Sequence, residues 1–275
     1  MTELWAFLQT DEVMLNLSAF LLGSVRILMF AAMVPFLGPQ ISGPVMMPIV
    51  LAIYLPLHPF LAAQAIPISM ESVGELLGLL LLVLKEAVIG YLLAYVCACL
   101  FYAALCAGII IDNQRGASMA QGADLLSGAE STPLGNVLFM AVVTLFFSSG
   151  AFVNFLSIFY ETYVIWSPFE LLPSLLNMNL AVFTLDNLDF LMVNAVLLCG
   201  PFIIVALMCD VSLGLINRFA PQLNVFILSM PIKSGICALL IIFYLGPFID
   251  HFAELFSTLN MHFMQLRNIL GASLS

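Results

Sequence analysis

The sequence predicts an all-α membrane protein, and three observations lead to this fold class. Hydrophobic residues make up 63% of the 275 residues and charged residues only 8%, whereas a soluble domain carries about 25% charged residues. The hydrophobic residues lie in blocks of about 20 or more, the length of an α-helix that crosses a bilayer. No repeat or low-complexity linker separates these blocks, so residues 1–275 are expected to form a single domain.

Six apolar blocks are expected to form the membrane helices: Leu15–Leu37, Ile41–Ile66, Val73–Ile111, Leu134–Trp166, Phe190–Ile216 and Val225–Ile249. Prolines interrupt the second block, and Pro35, Pro201 and Pro231 lie within others. The third block would extend over roughly 58 Å as one straight helix, against a hydrocarbon core of about 30 Å. Strong tilt, a tight helical hairpin or a helix sheathed by partner subunits would each accommodate this length. The residues leave open whether the block forms one helix or two.

Charged residues inside apolar blocks usually face protein or water and have a partner. Asp210 and Lys233 lie in consecutive blocks, and the midpoint between them falls in the connecting loop. If the two blocks form an antiparallel hairpin, these charges lie at the same depth. We expect either that they pair with each other or that each pairs with a different subunit.

Three further charges need partners. Lys85 and Glu86 are adjacent, so on a helix they point about 100° apart, and we expect at least one of them to reach another chain. Arg26 has no acid within its own block, and Glu161 is a candidate partner that nothing in the sequence selects.

The sequence does not favour an enzyme, and it indicates neither a cofactor nor a metal. No Walker A motif and no nucleophile elbow is present, and the six cysteines and three histidines do not have zinc-binding spacing. The 16 acids against 6 bases argue against nucleic acid as a partner, because nucleic-acid binding requires a basic surface.

A dense polar cluster, IIIDNQRGAS (Ile109–Ser118), ends the third block. It could cap a membrane helix at the water surface or lie inside a larger structure, and the residues alone favour the cap. Together with KEAVIGYLLA (Lys85–Ala94) and NRFAPQLNVFILSMPIKS (Asn217–Ser234), however, it resembles the type III secretion export-apparatus family of SctT, the relatives of flagellar FliR. The resemblance covers nearly the whole chain, and S-M-P-I-K-S is similar to the virulence (injectisome) branch.

This resemblance implies a non-catalytic subunit of an export gate in the bacterial inner membrane. Such a subunit closes a helical assembly with SctR-like and SctS-like proteins, at the base of the secretion complex. The other implied partners are an SctU-like switch protein, an SctV-like export protein, needle or inner-rod subunits, membrane lipid and unfolded proteins as cargo.

The resemblance also implies a division of the chain. Residues 1–189 would be an SctR-like part with a plug region at 109–122, residues 190–256 an SctS-like helical hairpin, and residues 257–275 a C-terminal tail. The implied pore and plug residues are Ile109, Ile110, Ile111, Asp112, Asn113, Gln114, Arg115 and Gly116. The implied cytoplasmic hairpin loop comprises Arg218, Phe219, Ala220, Pro221, Gln222, Leu223 and Asn224. The residues expected to pair helices or subunits are Arg26, Lys85, Glu86, Asp210 and Lys233.

If these residues form a plug, their chemistry is suitable for closing and opening a pore. Isoleucines 109 to 111 could form a dewetted constriction, and Gly108, Gly116 and Gly122 could supply backbone freedom. Asp112 and Arg115 are three residues apart and could pair on one helix face.

Two alternatives stay open. Proline-broken spans with an intramembrane Asp and Lys are typical of proton-coupled secondary transporters, although no two matching halves are visible. A pure assembly scaffold of the same complex would carry the same family features without touching the cargo.

Overall fold

The structure is a computed structural model that describes residues 11–38, 43–66, 73–116, 132–171, 178–220, 222 and 224–271. Every regular element within these ranges is a helix, which confirms the all-α prediction. The α-helices are α1 (Asp11–Met33), α2 (Gly43–Tyr54), α3 (His58–Ala62), α4 (Val73–Gln114), α5 (Pro133–Ser148), α6 (Ala151–Ile165), α7 (Met178–Phe219) and α8 (Val225–Gly271), with a 3₁₀ turn at Leu55–Leu57 before α3.

The helices fit a membrane protein by length and composition. Within the described ranges, five helical stretches are long and apolar enough to cross a membrane, or six if the broken pair α5 and α6 counts as one span. The prediction of a multi-pass membrane protein is therefore confirmed.

The long third block forms one helix. Helix α4 runs without interruption over 42 residues, about 63 Å at the usual rise, and so the question of one helix or two is answered. Several other blocks differ from their expected bounds. The second is divided into α2, the 3₁₀ turn and α3, and the fifth begins as α7 at Met178 instead of Phe190. The fourth block breaks at Ser149 and Gly150, where Gly150 has a φ of +77° that glycine adopts without strain. The sixth block continues as α8 to Gly271, well beyond Ile249 and into the expected tail.

The chain divides into two compact units. Unit 1 comprises Met1–Ala98, Val153–Thr184 and Leu259–Ser275. Its core contains a stack of phenylalanines from α1, α6 and α8, with ring centroids of Phe30 and Phe155 5.1 Å apart and those of Phe155 and Phe263 5.4 Å apart. Helices α1 and α4 cross closely at Gly90, where an added Cβ would lie 2.5 Å from the carbonyl oxygen of Arg26.

Unit 2 comprises Cys99–Phe152 and Leu185–Thr258. Phe146 of α5 lies at its centre, with ring centroids 5.2 Å from Phe101 and 5.4 Å from Phe256. Helices α4 and α5 are in close contact where Gly108 faces Gly135, because a Cβ on Gly108 would overlap the Gly135 backbone. The two glycines therefore bring the end of α4 against the start of α5.

Candidate functional site at the end of α4

The candidate site lies in unit 2, where α4 ends. Arg115 N–H donates to the carbonyl of Ile111 at 3.0 Å, and Gly116 N–H donates to the carbonyl of Asn113 at 3.1 Å. Gly116 has a φ of +79°, which is the left-handed conformation that terminates many helices. The predicted plug region, 109–122, is thus described only to Gly116, and residues 117–122 with Gly122 lie outside the described residues.

The eight expected plug residues differ in accessibility. Ile111 and Asp112 are packed inside unit 2, with 1% and 2% of their surface exposed. Asn113 and Gln114 are exposed, and the remaining four, Ile109, Ile110, Arg115 and Gly116, are half-buried. Of this cluster, Asn113 and Gln114 therefore present the most accessible surface in the isolated chain.

Asp112 holds two parts of the chain together. Its Oδ1 accepts from Arg115 Nε at 2.8 Å and contacts Arg115 Nη2 at 2.6 Å. Its Oδ2 accepts from the backbone N–H of Leu134 at 3.0 Å. Leu134 is the second residue of α5, after Pro133, and the side chain of the N-cap residue Thr132 makes no capping bond. The carboxylate of Asp112 therefore caps α5 from another helix, where its negative charge also faces the positive end of the helix dipole.

Gly108 has a different role from the one expected. It lies within the uninterrupted helix α4, so it provides no break in the backbone there. Its lack of a side chain instead allows the contact with Gly135. The expectation of backbone freedom at Gly108 is therefore wrong.

Lys233 connects α8 to both α7 and the end of α4. Its Nζ lies 2.5 Å from Asp210 Oδ1 and donates to Oδ2 at 2.7 Å, so the structure brings together the two charges that sequence spacing placed at one depth. The same Nζ lies 3.4 Å from the carbonyl oxygen of Gln114. One turn earlier on α8, the Cγ of Met230 lies 3.2 Å from the position that a Cβ on Gly116 would occupy.

Helices α7 and α8 pair in antiparallel fashion within unit 2. Besides Asp210 with Lys233, the ring of Phe202 lies 5.3 Å from that of Tyr244, centroid to centroid. Asn194 Oδ1 lies 3.0 Å from His251 Nε2. All three pairs are centred near residue 222, as a hairpin requires. Sequence reasoning missed the polar pair of Asn194 and His251, although the same equal-depth argument could have found it.

The connection between α7 and α8 is described in part. Ala220 N–H donates to the carbonyl of Ile216 at 2.9 Å, after Arg218 in the last turn of α7. Phe219 is 86% exposed, and Gln222 and Asn224 are exposed as well. Pro221 and Leu223 lie outside the described residues. An aromatic side chain this exposed is available to contact lipid or another protein.

A second polar cluster lies in unit 1 around Arg26, which is fully buried. Its guanidinium forms a bidentate pair with Glu86, with Nε 2.8 Å from Oε2 and Nη2 2.9 Å from Oε1. Nη1 donates to Thr162 Oγ1 and Nη2 donates to the carbonyl of Trp166, both at 2.9 Å. The guanidinium carbon also lies 4.1 Å from the centroid of the Tyr163 ring. Each of the three guanidinium nitrogens therefore donates to a partner within the chain.

Lys85 joins the same cluster. Its Nζ lies 3.0 Å from Glu86 Oε1 and donates to the carbonyls of Ser167 and Glu170, both at 2.7 Å. The expectation that Lys85 or Glu86 must reach another chain is therefore wrong, because the long lysine side chain bends back to its neighbour and the turn after α6 supplies two carbonyls. Glu161 is not the partner of Arg26 either; it is exposed and lines a groove of about 320 Å³ in unit 1.

Neither cluster has the composition of a metal site. Within the described ranges, no three His, Cys, Asp or Glu side chains lie close enough together to hold a metal ion. The described cysteines form no disulfide. The chemistry that both clusters offer is ion pairing and helix capping.

Comparison with known proteins identifies the family. The family model for bacterial export proteins, family 1, matches residues 17–259. The chain belongs to this family. The export protein is 36% identical over 219 residues to Yop proteins translocation protein T of Yersinia pestis, an alignment that covers 79% of this chain and 82% of the relative.

Two further relatives agree with the resemblance inferred from the motifs. Surface presentation of antigens protein SpaR of Salmonella typhimurium is 30% identical over 228 residues, covering 82% of each chain. Flagellar biosynthetic protein FliR of Bacillus subtilis is 28% identical over 224 residues, covering 82% of this chain and 85% of the relative. The 36% identity to the Yersinia translocation protein exceeds the 28% identity to FliR of Bacillus subtilis, and the match places the export protein in the injectisome branch of the SctT family. Family membership and the apolar helices together make it a multi-pass protein of the bacterial inner membrane and a component of a type III secretion export apparatus.

Proposed function

We propose that this export protein is a non-catalytic subunit of the type III secretion export gate. It closes a helical assembly of SctR-like and SctS-like subunits and contributes residues 109–122 to a plug in the protein-conducting pore. The observation that carries this proposal is the end of α4, where the family's polar cluster is fastened by Asp112 to α5 and by Lys233 to α8. A simple surface cap does not require a carboxylate that is 2% exposed and bonded both to Arg115 and to the start of α5.

The surfaces of α7 and α8 support a place within a larger assembly. Only 39% of the most apolar part of α7 and 11% of that of α8 is buried within the chain. The large apolar side chains exposed on these helices include Leu197, Ile204, Leu207, Ile242 and Phe243. Such surfaces require lipid or partner subunits, because water would not solvate them. We assign this role to SctS-like and SctR-like neighbours and to membrane lipid.

The wider partners and the cargo follow from the same proposal. An SctU-like switch protein, an SctV-like export protein and needle or inner-rod subunits would surround the gate, and unfolded secreted proteins would pass through it. The loop 218–224 would face the cytoplasmic entrance, where the exposed Phe219 is available for contact.

Purification tests the assembly part of the proposal. The tagged chain is produced with and without an SctR-like and an SctS-like protein, and the product is analysed for size and stoichiometry. We expect a stable product only in a large complex with both proteins. A stable and monodisperse chain without partners would contradict the proposal and favour the secondary transporter, for which a proton-coupled flux assay is the next experiment.

A further inference from the structure

The last carbonyls of α4 accept hydrogen bonds from different donors. In any α-helix the final four carbonyls lack donors from the helix itself. In α4, the carbonyl of Ile111 accepts from Arg115 N–H and that of Asn113 accepts from Gly116 N–H. The carbonyl of Gln114 instead faces the ammonium of Lys233 at 3.4 Å. A cation at this end of a helix is stabilised by the negative end of the helix dipole.

Asp210 holds Lys233 in this position. The ammonium has three N–H donors, and both oxygens of Asp210 lie within 2.7 Å of it. The side chain of Lys233 is 11% exposed, whereas that of Asp210 is 45% exposed. Solvent therefore reaches the Asp210 side chain more readily than the Lys233 side chain, which lies between Asp210 of α7 and the end of α4.

An apolar contact lies beside this polar one. Met230 precedes Lys233 by three residues, so both side chains lie on one face of α8. The Met230 side chain packs against Gly116, the residue at which α4 ends. Two residues of α8 thus contact the last turn of α4, one by charge and one by packing.

We propose that Lys233 is a positioning residue that fixes the carboxyl end of α4 to the α7–α8 hairpin, with Asp210 holding its ammonium in place. The pair does more than neutralise two charges within a hairpin: it ties the hairpin to the polar cluster of α4. The consequence for export rests on the proposed plug function, whereas the contact itself does not.

A charge exchange separates this role from simple pairing. In the double variant D210K/K233D the ion pair between α7 and α8 can form again, but a carboxylate at position 233 repels the carbonyl of Gln114. Hydrogen–deuterium exchange is measured on the assembled complex for peptides covering Ile110–Gly116 and, separately, the middle of α7. We expect Lys233→Met to accelerate exchange at the end of α4 about tenfold and Lys233→Arg to leave it within about twofold. In D210K/K233D, the middle of α7 should regain its protection, whereas hydrogen–deuterium exchange at the end of α4 should stay fast.

Three results would overturn the proposal. The first is an unchanged rate of hydrogen–deuterium exchange at the end of α4 in Lys233→Met. The second is a loss of protection there in Lys233→Arg as large as in Lys233→Met. The third is recovery of protection in both α7 and the end of α4 in D210K/K233D. If Lys233→Met fails to assemble, Lys233→Gln and the charge exchange are compared by the same measurement. Secretion and ion leakage are recorded in parallel. If the end of α4 loosens while both remain normal, the plug function fails and the positioning role of Lys233 stands.

Discussion

The carboxylate of Asp112, in the last turn of α4, accepts a hydrogen bond from the backbone N–H of Leu134 in the first turn of α5, 22 residues further along the chain. The same carboxylate binds Arg115. One buried side chain therefore fastens the chain before and after residues 117–131. If the polar cluster acts in a pore, Asp112 anchors residues 109–116 of that cluster to α5.

Replacement of Asp112 should weaken this anchor. Asp112→Ala leaves Leu134 N–H without its acceptor and Arg115 without its partner, so we expect a loss of about 1–3 kcal/mol in the stability of the assembled protein. Asp112→Asn retains one acceptor oxygen and should therefore lose less stability than Asp112→Ala. Thermal unfolding of the complex measures both. Asn113→Ala, at the adjacent exposed position, is the control and should have little effect; an Asp112→Ala complex as stable as this control would contradict the capping role.

The glycine contact between α4 and α5 makes a second prediction. Gly108→Ala places a methyl group against the Gly135 backbone, which must move, and we expect destabilisation of about 1–3 kcal/mol. Gly78→Ala is a matched control in the same helix, where an added Cβ meets nothing within 4 Å. That control should be neutral or slightly stabilising because alanine favours a helix. Similar unfolding temperatures for the two variants would show that Gly108 and Gly135 do not require a close contact between α4 and α5.

The buried cluster in unit 1 makes a third prediction. Glu86→Gln leaves Arg26 and Lys85 buried with no carboxylate, and we expect a loss of about 3–5 kcal/mol or failure to assemble. Arg26→Lys should not preserve stability, because lysine lacks the bidentate geometry and the contact with Tyr163. The double variant Arg26→Met/Glu86→Leu should be more stable than Glu86→Gln alone. If the losses in stability of Arg26→Met and Glu86→Leu, measured singly, add up to the loss in the double variant, the two side chains are not coupled.

Asp210 and Lys233 should be coupled, but weakly. Asp210→Ala is expected to cost about 0.2–1 kcal/mol, because its carboxylate is 45% exposed and solvent screens the pair. Lys233→Ala should rescue part of this loss in the double variant, and only part, since Lys233 also contacts Gln114. A double-mutant cycle on unfolding free energies measures the coupling. A coupling energy of zero would remove the ion pair as a source of stability.

Gly116 should tolerate few side chains. Its φ of +79° favours glycine and is accepted by asparagine more readily than by branched residues. Gly116→Val should therefore move the end of α4 away from Met230 and alter secretion or ion leakage more than it alters assembly. Gly116→Asn should have the smaller effect. Loss of the whole complex in Gly116→Val, with Gly116→Asn intact, would assign the glycine to folding instead of gating.

Features set by local periodicity could be predicted from the sequence. The apolar blocks predicted the helices because lipid and protein interiors both favour long apolar segments. Asp210 and Lys233 were predicted to lie opposite each other because they are equally far from the loop between α7 and α8. The end of α4 was visible as an abrupt change from Ile111 to Asp112. Bounds were less accurate: α8 continues through polar residues to Gly271, since packing in unit 1 supports it where composition does not.

Contacts between distant segments could not be predicted in the same way. Arg26 pairs with Glu86, 60 residues away, and with the backbone carbonyl of Trp166. No pattern in the sequence indicates which carbonyls a turn will present, so the partners of Lys85 were missed for the same reason. Glycine likewise has two uses, and only the crossing of two helices distinguishes the close contact of Gly108 from the turn conformation of Gly116.

Site-specific photocrosslinking shows whether the end of α4 lines the path of exported protein. A photoreactive residue replaces Gln114, which is exposed at the end of α4, or Gln265, which is exposed on α8 and serves as the matched control. Export is stalled with a substrate that carries a folded, unexportable domain. We expect a crosslink to the stalled substrate from position 114 and none from position 265. Secretion-competent complexes that give no crosslink from position 114 would contradict the plug function and leave the chain as a scaffold of the export apparatus.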